Sequence, residues 1–501
     1  MQEHLKKIEQ EFIAYVKKME AYEEALGLMY WDLRTGAPKL GREQRSKVIG
    51  LLSSELFQMS ISEEMAAYIA NLGNGHRLST MTEKVLQQCK KNYDRNKKIP
   101  VDIHEQYIVL KSQAENVWEE AKANADFELF QPYLEKLVEY NKEFIKYWGY
   151  KGNKYNALLD IYEPGITVEL LDQVFSELRL EVISLLHKVD VSANKLETDF
   201  LYQYFPKEKQ KAFGLKILEQ MGYDLNAGRL DETIHPFAIG LNPGDVRVTT
   251  RYNEYDWKMA VFGIIHEGGH ALYEQNISDE LVGTPLCSGA SMGIHESQSL
   301  FYENIVGRDY SFWKKNYPLL KQYANGSLDN TSLEDFYRAI NETKPSLIRI
   351  EADELTYPLH IIIRYELEKG LFNDEISVAD LPQLWNDKYE EYLGIRPEND
   401  AEGVLQDVHW AGGDFGYFPS YAIGFMYAAQ FRHALIKELP YFDLLESGDL
   451  QPIRHWLTNN VHQFGKSKKP LEILEAATGE GLNAEYLIDY LQNKYTKIYR
   501  L

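Results

Sequence analysis

Cysteine is scarce in this sequence, and long apolar runs are missing. Cys89 and Cys287 are the two cysteines in 501 residues, a count that excludes a disulfide-stapled secreted fold and a cysteine-rich metal site. No segment approaches the ~20 consecutive apolar residues that span a bilayer. Residues 1–30 have the pattern of a polar amphipathic helix rather than of a signal peptide. These features predict a soluble, cytoplasmic protein with no membrane partner.

Basic residues are also in short supply. Lysine and arginine number 54 against 76 aspartates and glutamates, which gives a formal net charge of −22. Such a chain is poorly suited to bind nucleic acid, whose phosphates are neutralised by basic side chains. Linkers rich in proline, glycine or serine are missing too, and 44% of the residues are hydrophobic. We therefore expect one continuous domain over residues 1–501, with two lobes on either side of a groove.

Hydrophobic residues recur at three- and four-residue steps along most of the chain, as in amphipathic helices. Strand patterns cluster in one place, where residues 236–240 and 245–250 flank a turn. The predicted architecture is mainly α, with one small antiparallel sheet just before the segment that begins at residue 266. The helical stripes cover residues 1–30, 83–122, 131–150, 167–189, 207–222, 470–477 and 484–498.

That segment reads His-Glu-Gly-Gly-His and begins at His266. On a helix, His266 and His270 project from one face, one turn apart, so both imidazoles reach one tetrahedral zinc ion. Glu267 is offset by about 100° and is placed to act as general base toward a water on the metal. Gly268 and Gly269 each cost about 1 kcal/mol in a helix, which predicts that another helix or the substrate approaches the backbone here. The alternative is a chance match among 13 histidines.

A third metal ligand is expected on a second helix that follows the histidine motif. Ser291 is a suitable N-cap for this helix, which should end before Gly307. Glu296 on this helix can complete three protein ligands and leave the fourth position open, as in catalytic zinc sites. His295 is the competing candidate, one residue around the helix. The precedent of the gluzincins, a class of zinc peptidases, favours Glu296.

Six ordered segments carry a resemblance to a known family. The sequence resembles the carboxypeptidase Taq family of thermostable metallocarboxypeptidases over essentially the whole chain, and residues 158–165 look familial as well. The six segments are His-Pro-Phe at 235–237, Asp-Val-Arg-Val-Thr at 245–249, the histidine motif at 266–270, His-Glu-Ser-Gln at 295–298, Ile-Arg-Ile-Glu-Ala-Asp at 348–353 and Gly-Val-Leu-Gln-Asp-Val-His-Trp at 403–410.

The resemblance implies a helical gluzincin fold, similar to angiotensin-converting enzyme and neurolysin, with a deep groove between two lobes. It implies release of single amino acids from peptide C-termini with broad preference, typically sparing C-terminal proline. It also implies one zinc ion per subunit, which cobalt can replace, and a homodimer. The expected partners are peptide substrates.

A carboxypeptidase must bind a free carboxylate, and the bidentate fork of arginine suits that task. Arg349 is the leading candidate on its family segment, and the alternative is an i,i+4 helix pair with Asp353. Arg247 is the reserve, although beside Asp245 it can also brace the sheet. His235 either faces the pocket or makes a local hydrogen bond.

Two further residues are expected at the cleft from their place in similar gluzincins. His409 lies in the segment that contacts the peptide carbonyl, and Tyr421 is placed like the tyrosine that steadies the oxyanion. With 35 tyrosines in the chain, a packing role for Tyr421 is the alternative. The predicted catalytic set is therefore Glu267, Tyr421 and His409.

Two other functions stay open. An endo-oligopeptidase or a dipeptide-releasing enzyme would use the same metal site, because the distance from zinc to the carboxylate anchor decides which bond is cut. A helical scaffold with a relict zinc is a non-enzymatic alternative, which the intact Glu267 opposes.

Overall fold

The computed structural model describes residues 2–73 and 78–501, so Met1 and residues 74–77 of the predicted domain lie outside the description. The described residues form twenty α-helices and three β-strands. None of the helices in these two ranges has the length and apolar composition that bilayer crossing needs. The helices are α1 (Gln2–Thr35), α2 (Arg42–Ser60), α3 (Glu63–Leu72), α4 (Thr80–Lys97), α5 (Val101–Asn124), α6 (Phe127–Trp148), α7 (Asn156–Tyr162), α8 (Val168–Asp190), α9 (Lys207–Met221), α10 (Trp257–Gln275), α11 (Met292–Leu300), α12 (Tyr310–Tyr323), α13 (Leu333–Ile340), α14 (Tyr357–Phe372), α15 (Leu381–Leu393), α16 (Pro419–Glu438), α17 (Tyr441–Ser447), α18 (Gln451–Asn460), α19 (Pro470–Thr478) and α20 (Glu485–Tyr499).

The mainly helical prediction is confirmed, and most helix ends have a local chemical cause. Thr167 caps α8, because its hydroxyl accepts a hydrogen bond from Leu170 N at 3.4 Å. Gly222 ends α9 in the left-handed region, with φ of 92°. The stripe predicted over 83–122 is divided into α4 and α5 just before Val101, since Pro100 lacks the N–H that would continue α4.

The small sheet lies beside α10 and is mixed rather than antiparallel. Strands β2 (Ala238–Asn242) and β3 (Asp245–Thr250) pair antiparallel, as predicted, with a register shift between Gly240 and Asn242. Strand β1 (Leu230–Glu232) pairs with β3 in parallel. The purely antiparallel prediction is therefore wrong, because this three-residue strand is too short to show a periodic pattern.

Helix α10 is buried between α9 and α11. A Cβ on Gly268 would come 2.7 Å from Leu218 Cδ2 of α9, and one on Gly269 would come 2.7 Å from Ser299 Cα of α11. Another helix therefore approaches at each glycine, which is the first of the two alternatives predicted. Helix α11 in turn touches α16, since a Cβ on Gly424 would lie 2.8 Å from Glu296 Cβ. These close approaches place α11 between the two neighbours that complete the site.

Candidate active site

A cavity of about 770 Å³ opens between α10, α11, α16 and the residues that precede β2. Helices α10 and α11 supply its candidate metal ligands, the 3₁₀ turn Arg349–Glu351 supplies an arginine, and the first turn of α16 supplies a tyrosine. Six of the nine predicted site residues line it: His266, Glu267, His270, Glu296, Arg349 and Tyr421.

Two imidazoles and one carboxylate converge inside this cavity. His266, His270 and Glu296 each present one ligand atom, and these atoms lie within 4.8 Å of one another. Nε2 of His270 is 3.5 Å from Glu296 Oε2, and the two imidazole centroids are 5.0 Å apart. Ser291 caps α11 as predicted, accepting from Ile294 N at 3.0 Å. Two nitrogens and one carboxylate oxygen are a donor set that suits zinc with one position left for water.

The first histidine is oriented from behind by a carboxylate. Nδ1 of His266 is 2.9 Å from Glu303 Oε2, so its Nε2 is the nitrogen left for a metal. Arg308 donates to the other oxygen of Glu303 at 3.1 Å, and its guanidinium lies 4.1 Å from the centre of the Phe262 ring. The His266 ring is therefore held by a carboxylate that is itself held by an arginine.

The second histidine is oriented by His295, the alternative ligand of the sequence analysis. Nδ1 of His270 lies 2.6 Å from Nδ1 of His295, whose Nε2 lies 2.8 Å from Glu274 Oε1. Both nitrogens of His295 are thus engaged, one by His270 and the other by Glu274, whereas the converging ligand atoms come from His266, His270 and Glu296. The geometry groups Glu296 with the two histidines and places His295 behind one of them.

Glu267 lies on the cavity wall with 8% of its surface exposed. Burial raises the pKa of Glu267 to about 7, with His266 opposing the shift and Glu296 adding to it. A carboxyl group with a pKa close to the working pH both accepts and returns a proton readily. At this position and with this pKa, Glu267 is suited to proton transfer within the cavity.

Arg349 lines the cavity and is paired with an acidic residue far away in sequence. Its Nε and Nη2 donate to Asp407, the latter at 2.9 Å, and its Nη1 contacts the Tyr357 hydroxyl at 3.4 Å. The i,i+4 pairing with Asp353 is wrong, because residues 349–351 form a 3₁₀ turn and Asp353 instead accepts from Thr343 at 2.5 Å. Asp407 therefore fixes Nε and Nη2 of Arg349, and Nη1 is left with the longer contact to Tyr357, which also lines the cavity.

The two remaining substrate candidates lie elsewhere. Arg247 lines a different cavity, beside Trp31, and donates to both oxygens of Asp245 at 2.8 and 2.7 Å. This pairing corresponds to the alternative role predicted for Arg247, in which it braces the sheet. His235 is exposed in the bend before β2, next to Pro236 and Phe237, which do line the metal-site cavity.

Tyr421 and His409 are neighbours, as their expected roles require. Tyr421 lines the cavity, and its hydroxyl lies 3.3 Å from His409 Nε2. Burial raises the pKa of Tyr421 to about 12, so the hydroxyl keeps its proton at neutral pH. Burial also lowers the pKa of His409 to about 3, and the Arg364 charge acts in the same direction. In the tautomer that carries its proton on Nε2, the neutral His409 donates to the Tyr421 oxygen and leaves the phenol proton for another acceptor.

Several residues at the site were not predicted from sequence: Glu303, Arg308, Glu274, Tyr357 and Tyr417. A signal existed for two of them. Glu303 follows Glu296 by seven residues and Glu274 follows His270 by four, and both spacings return to the same helix face. Arg308, Tyr357 and Tyr417 reach the site only through the tertiary fold.

Comparison with known proteins confirms the family resemblance of the sequence over nearly the whole chain. The family described as carboxypeptidase Taq (M32) metallopeptidase matches residues 11–495. The chain is 57% identical over 495 residues to carboxypeptidase 1 of Bacillus subtilis (strain 168), covering 98% of this chain and 99% of that protein. It is 40% identical over 493 residues to thermostable carboxypeptidase 1 of Thermus thermophilus, covering 96% of each. The crystal structure of the M32 carboxypeptidase from Deinococcus radiodurans R1 superposes with a TM-score of 0.96 at 34% identity, covering 99% of this chain and 100% of that chain. The chain belongs to the carboxypeptidase Taq (M32) family and is a metallocarboxypeptidase.

Proposed function

We propose that this metallocarboxypeptidase is zinc-dependent and releases single amino acids from peptide C-termini with broad preference, sparing C-terminal proline. The observation that carries the proposal is the convergence of His266, His270 and Glu296 in one cavity that also exposes Glu267 and Arg349. The carboxylate behind His266 supports the assignment, since a zinc-bound histidine usually donates the N–H of its other ring nitrogen to such a group.

Each of these side chains has one role in the proposed reaction. When bound, a zinc ion supplies Lewis acidity toward the scissile carbonyl and makes a water easier to deprotonate. Glu267 takes the water proton during attack and returns it to the leaving amine. Tyr421, held by His409, donates to the oxyanion of the tetrahedral intermediate.

Arg349 is proposed as the anchor for the substrate carboxylate. Asp407 fixes its Nε and Nη2, and Nη1 is left with the 3.4 Å contact to Tyr357. A guanidinium held in this way is ready to bind an anion without losing much side-chain entropy. Binding the terminal carboxylate there would place only the last peptide bond over the metal.

Other parts of the proposal rest on the family resemblance and on composition. They are replacement of zinc by cobalt, a homodimer, a cytoplasmic location, and one domain whose two lobes flank the groove as in angiotensin-converting enzyme and neurolysin. Supporting roles for His235 and Arg247 in substrate binding are weaker parts, because Arg247 lines another cavity and His235 is exposed.

A time course by mass spectrometry tests the proposal. An N-terminally blocked peptide of ten residues is incubated with the enzyme, with the enzyme plus a zinc chelator, and with chelated enzyme after zinc is restored. The expected products differ by one C-terminal residue, disappear on chelation and return with zinc. Dipeptide or internal products would refute the role of Arg349, and activity that survives complete metal removal would refute the zinc mechanism. Glu267→Gln should abolish turnover while zinc stays bound.

A further inference from the structure

One hydrogen-bonded chain joins α10 to α11 at the wall of the metal-site cavity, which His295 itself lines. His270 and Glu274 lie one turn apart on the same face of α10. His295 of α11 lies between them, 2.6 Å from His270 through the two Nδ1 atoms and 2.8 Å from Glu274 through Nε2. The next residue of α11 is Glu296, so this bridge lies directly beside the third candidate ligand.

The ring of His295 has little freedom to turn. A Cβ on Gly289 would come 2.6 Å from its Cδ2, and the centroid of the Tyr273 ring lies 5.2 Å from that of His295. The backbone N–H of Gly289 also donates to Glu274 Oε1 at 3.1 Å, which fixes the carboxylate at the far end of the chain. Both ends and one side of the imidazole are therefore constrained.

The contact between two Nδ1 atoms requires one donor and one acceptor, and this requirement determines the protonation of each ring. A neutral His270 that offers Nε2 to a metal carries its proton on Nδ1 and donates it to His295. The Nδ1 of His295 must then be unprotonated, so its Nε2 carries the proton and donates to Glu274. Each hydrogen bond in the chain has its donor on the side nearer the metal.

We propose that His295 is a positioning residue that orients His270 and fixes Glu296 for metal binding, and that Glu274 holds it in the required tautomer. The inference rests on the proposed zinc site. The two histidine ligands would then be supported unequally. His266 contacts a carboxylate directly at 2.9 Å, whereas His270 reaches Glu274 through a neutral imidazole. Residues that support metal ligands in this way typically change metal affinity 10- to 100-fold when mutated.

The test measures zinc affinity by competition with a chromogenic chelator, together with the thermal stability of the metal-free protein. The full-length variants are His295→Leu, which removes both hydrogen bonds, His295→Asn, whose amide oxygen can take the place of Nδ1, and Glu274→Gln, which keeps an acceptor without the charge. His187→Leu is the matched control, because His187 is exposed at the end of α8, away from the site.

His295→Leu should bind zinc about 10- to 100-fold more weakly than wild type. His295→Asn and Glu274→Gln should fall between the two, and His187→Leu should match wild type. Wild-type affinity in His295→Leu would overturn the inference. Equal losses in His295→Leu and His295→Asn would overturn it as well, because packing rather than an acceptor at Nδ1 would then matter. Failure of the wild-type protein to bind zinc would instead overturn the metal assignment of the proposed function, and the inference with it.

Discussion

Replacing Gly269 with alanine should push apart the two helices that carry the metal ligands. The new Cβ would come 2.7 Å from Ser299 Cα and would be closer still to the carbonyl oxygen of Gln298, both backbone atoms of α11. Carbon atoms in contact prefer separations of about 3.5–4.0 Å. Since backbone cannot rotate away as a side chain can, α10 and α11 would have to separate by roughly 1 Å.

The expected magnitude is the sum of two opposed effects. Alanine in place of glycine stabilises a helix by about 1 kcal/mol, whereas overpacking a core costs about 1–3 kcal/mol and occasionally more. The net change in the free energy of unfolding is therefore a loss of about 0–2 kcal/mol. Metal binding should suffer more, because ligand distances must stay within about 0.2 Å and Glu296 moves with α11. We expect zinc affinity to fall at least about tenfold.

Two neighbouring glycines provide matched controls. A Cβ on Gly268 would meet only side-chain ends in α9, Leu218 Cδ2 at 2.7 Å and Met221 Cε at 3.0 Å. These can rotate, so Gly268→Ala should reduce zinc affinity less. A Cβ on Gly263 would lie 3.6 Å from Thr250 Oγ1, so Gly263→Ala should stabilise the metal-free protein by up to about 1 kcal/mol. Zinc competition and urea unfolding measure both quantities. Wild-type zinc affinity in Gly269→Ala, or equal losses at 268 and 269, would refute the reasoning.

Three further predictions concern the hydroxyl group of Tyr421, the carboxylate anchor Arg349 and the buried carboxyl group of Glu163. Tyr421→Phe should lower kcat about 10²–10³-fold with little change in zinc affinity, and an unchanged kcat would remove Tyr421 from the mechanism. Asp407→Asn weakens the buried pair with Arg349 and should lower kcat/KM at least about thirtyfold, or ~2 kcal/mol, for peptides with a free C-terminus; the same loss on C-terminally amidated peptides would contradict the anchor. Burial raises the pKa of Glu163 to about 7, so the folded protein keeps a proton that the unfolded chain releases near pH 4.3. Between about pH 4.3 and about pH 7, the free energy of unfolding of the wild type therefore falls by up to about 1.4 kcal/mol per pH unit. The Glu163→Gln protein lacks this loss and should gain stability relative to wild type from pH 5 to pH 7 in urea unfolding without metal; parallel pH profiles would contradict the assignment.

Local sequence patterns predict those parts of the site that lie within one or two helical turns. The pairing of His266 with His270 follows from a spacing of four, and the cap at Ser291 forms as expected. Glycine in a helix interior also carried information, since Gly268 and Gly269 mark the approach of α9 and α11. These features depend on helix geometry alone, which is why a single sequence is enough to predict them.

Contacts between residues far apart in sequence cannot be predicted from local patterns of this kind. Arg349 and Asp407 are 58 residues apart, so the sequence alone offers the nearby carboxylate of Asp353 as a partner instead. A loop arginine can reach several carboxylates, and only the fold decides between them. The parallel strand β1 was missed for a related reason, because its pairing with β3 joins segments that no hairpin connects.

The metal site depends both on spacing within one helix and on contacts between helices, and α10 and α11 contribute different residues to it. Helix α10 carries His266, His270 and Glu274 on one face, and α11 places His295 and Glu296 against them. Because one residue of α11 approaches the metal position and its neighbour contacts a histidine of α10, a small shift between the helices changes both the ligand set and the orientation of one ligand. The glycine contact at 269 fixes that separation through backbone atoms of α11 rather than through flexible side chains, and the contact at 424 fixes α11 against α16. Mutations at Gly269 and at His295 should therefore couple non-additively in zinc affinity, because each alters the contact between α10 and α11.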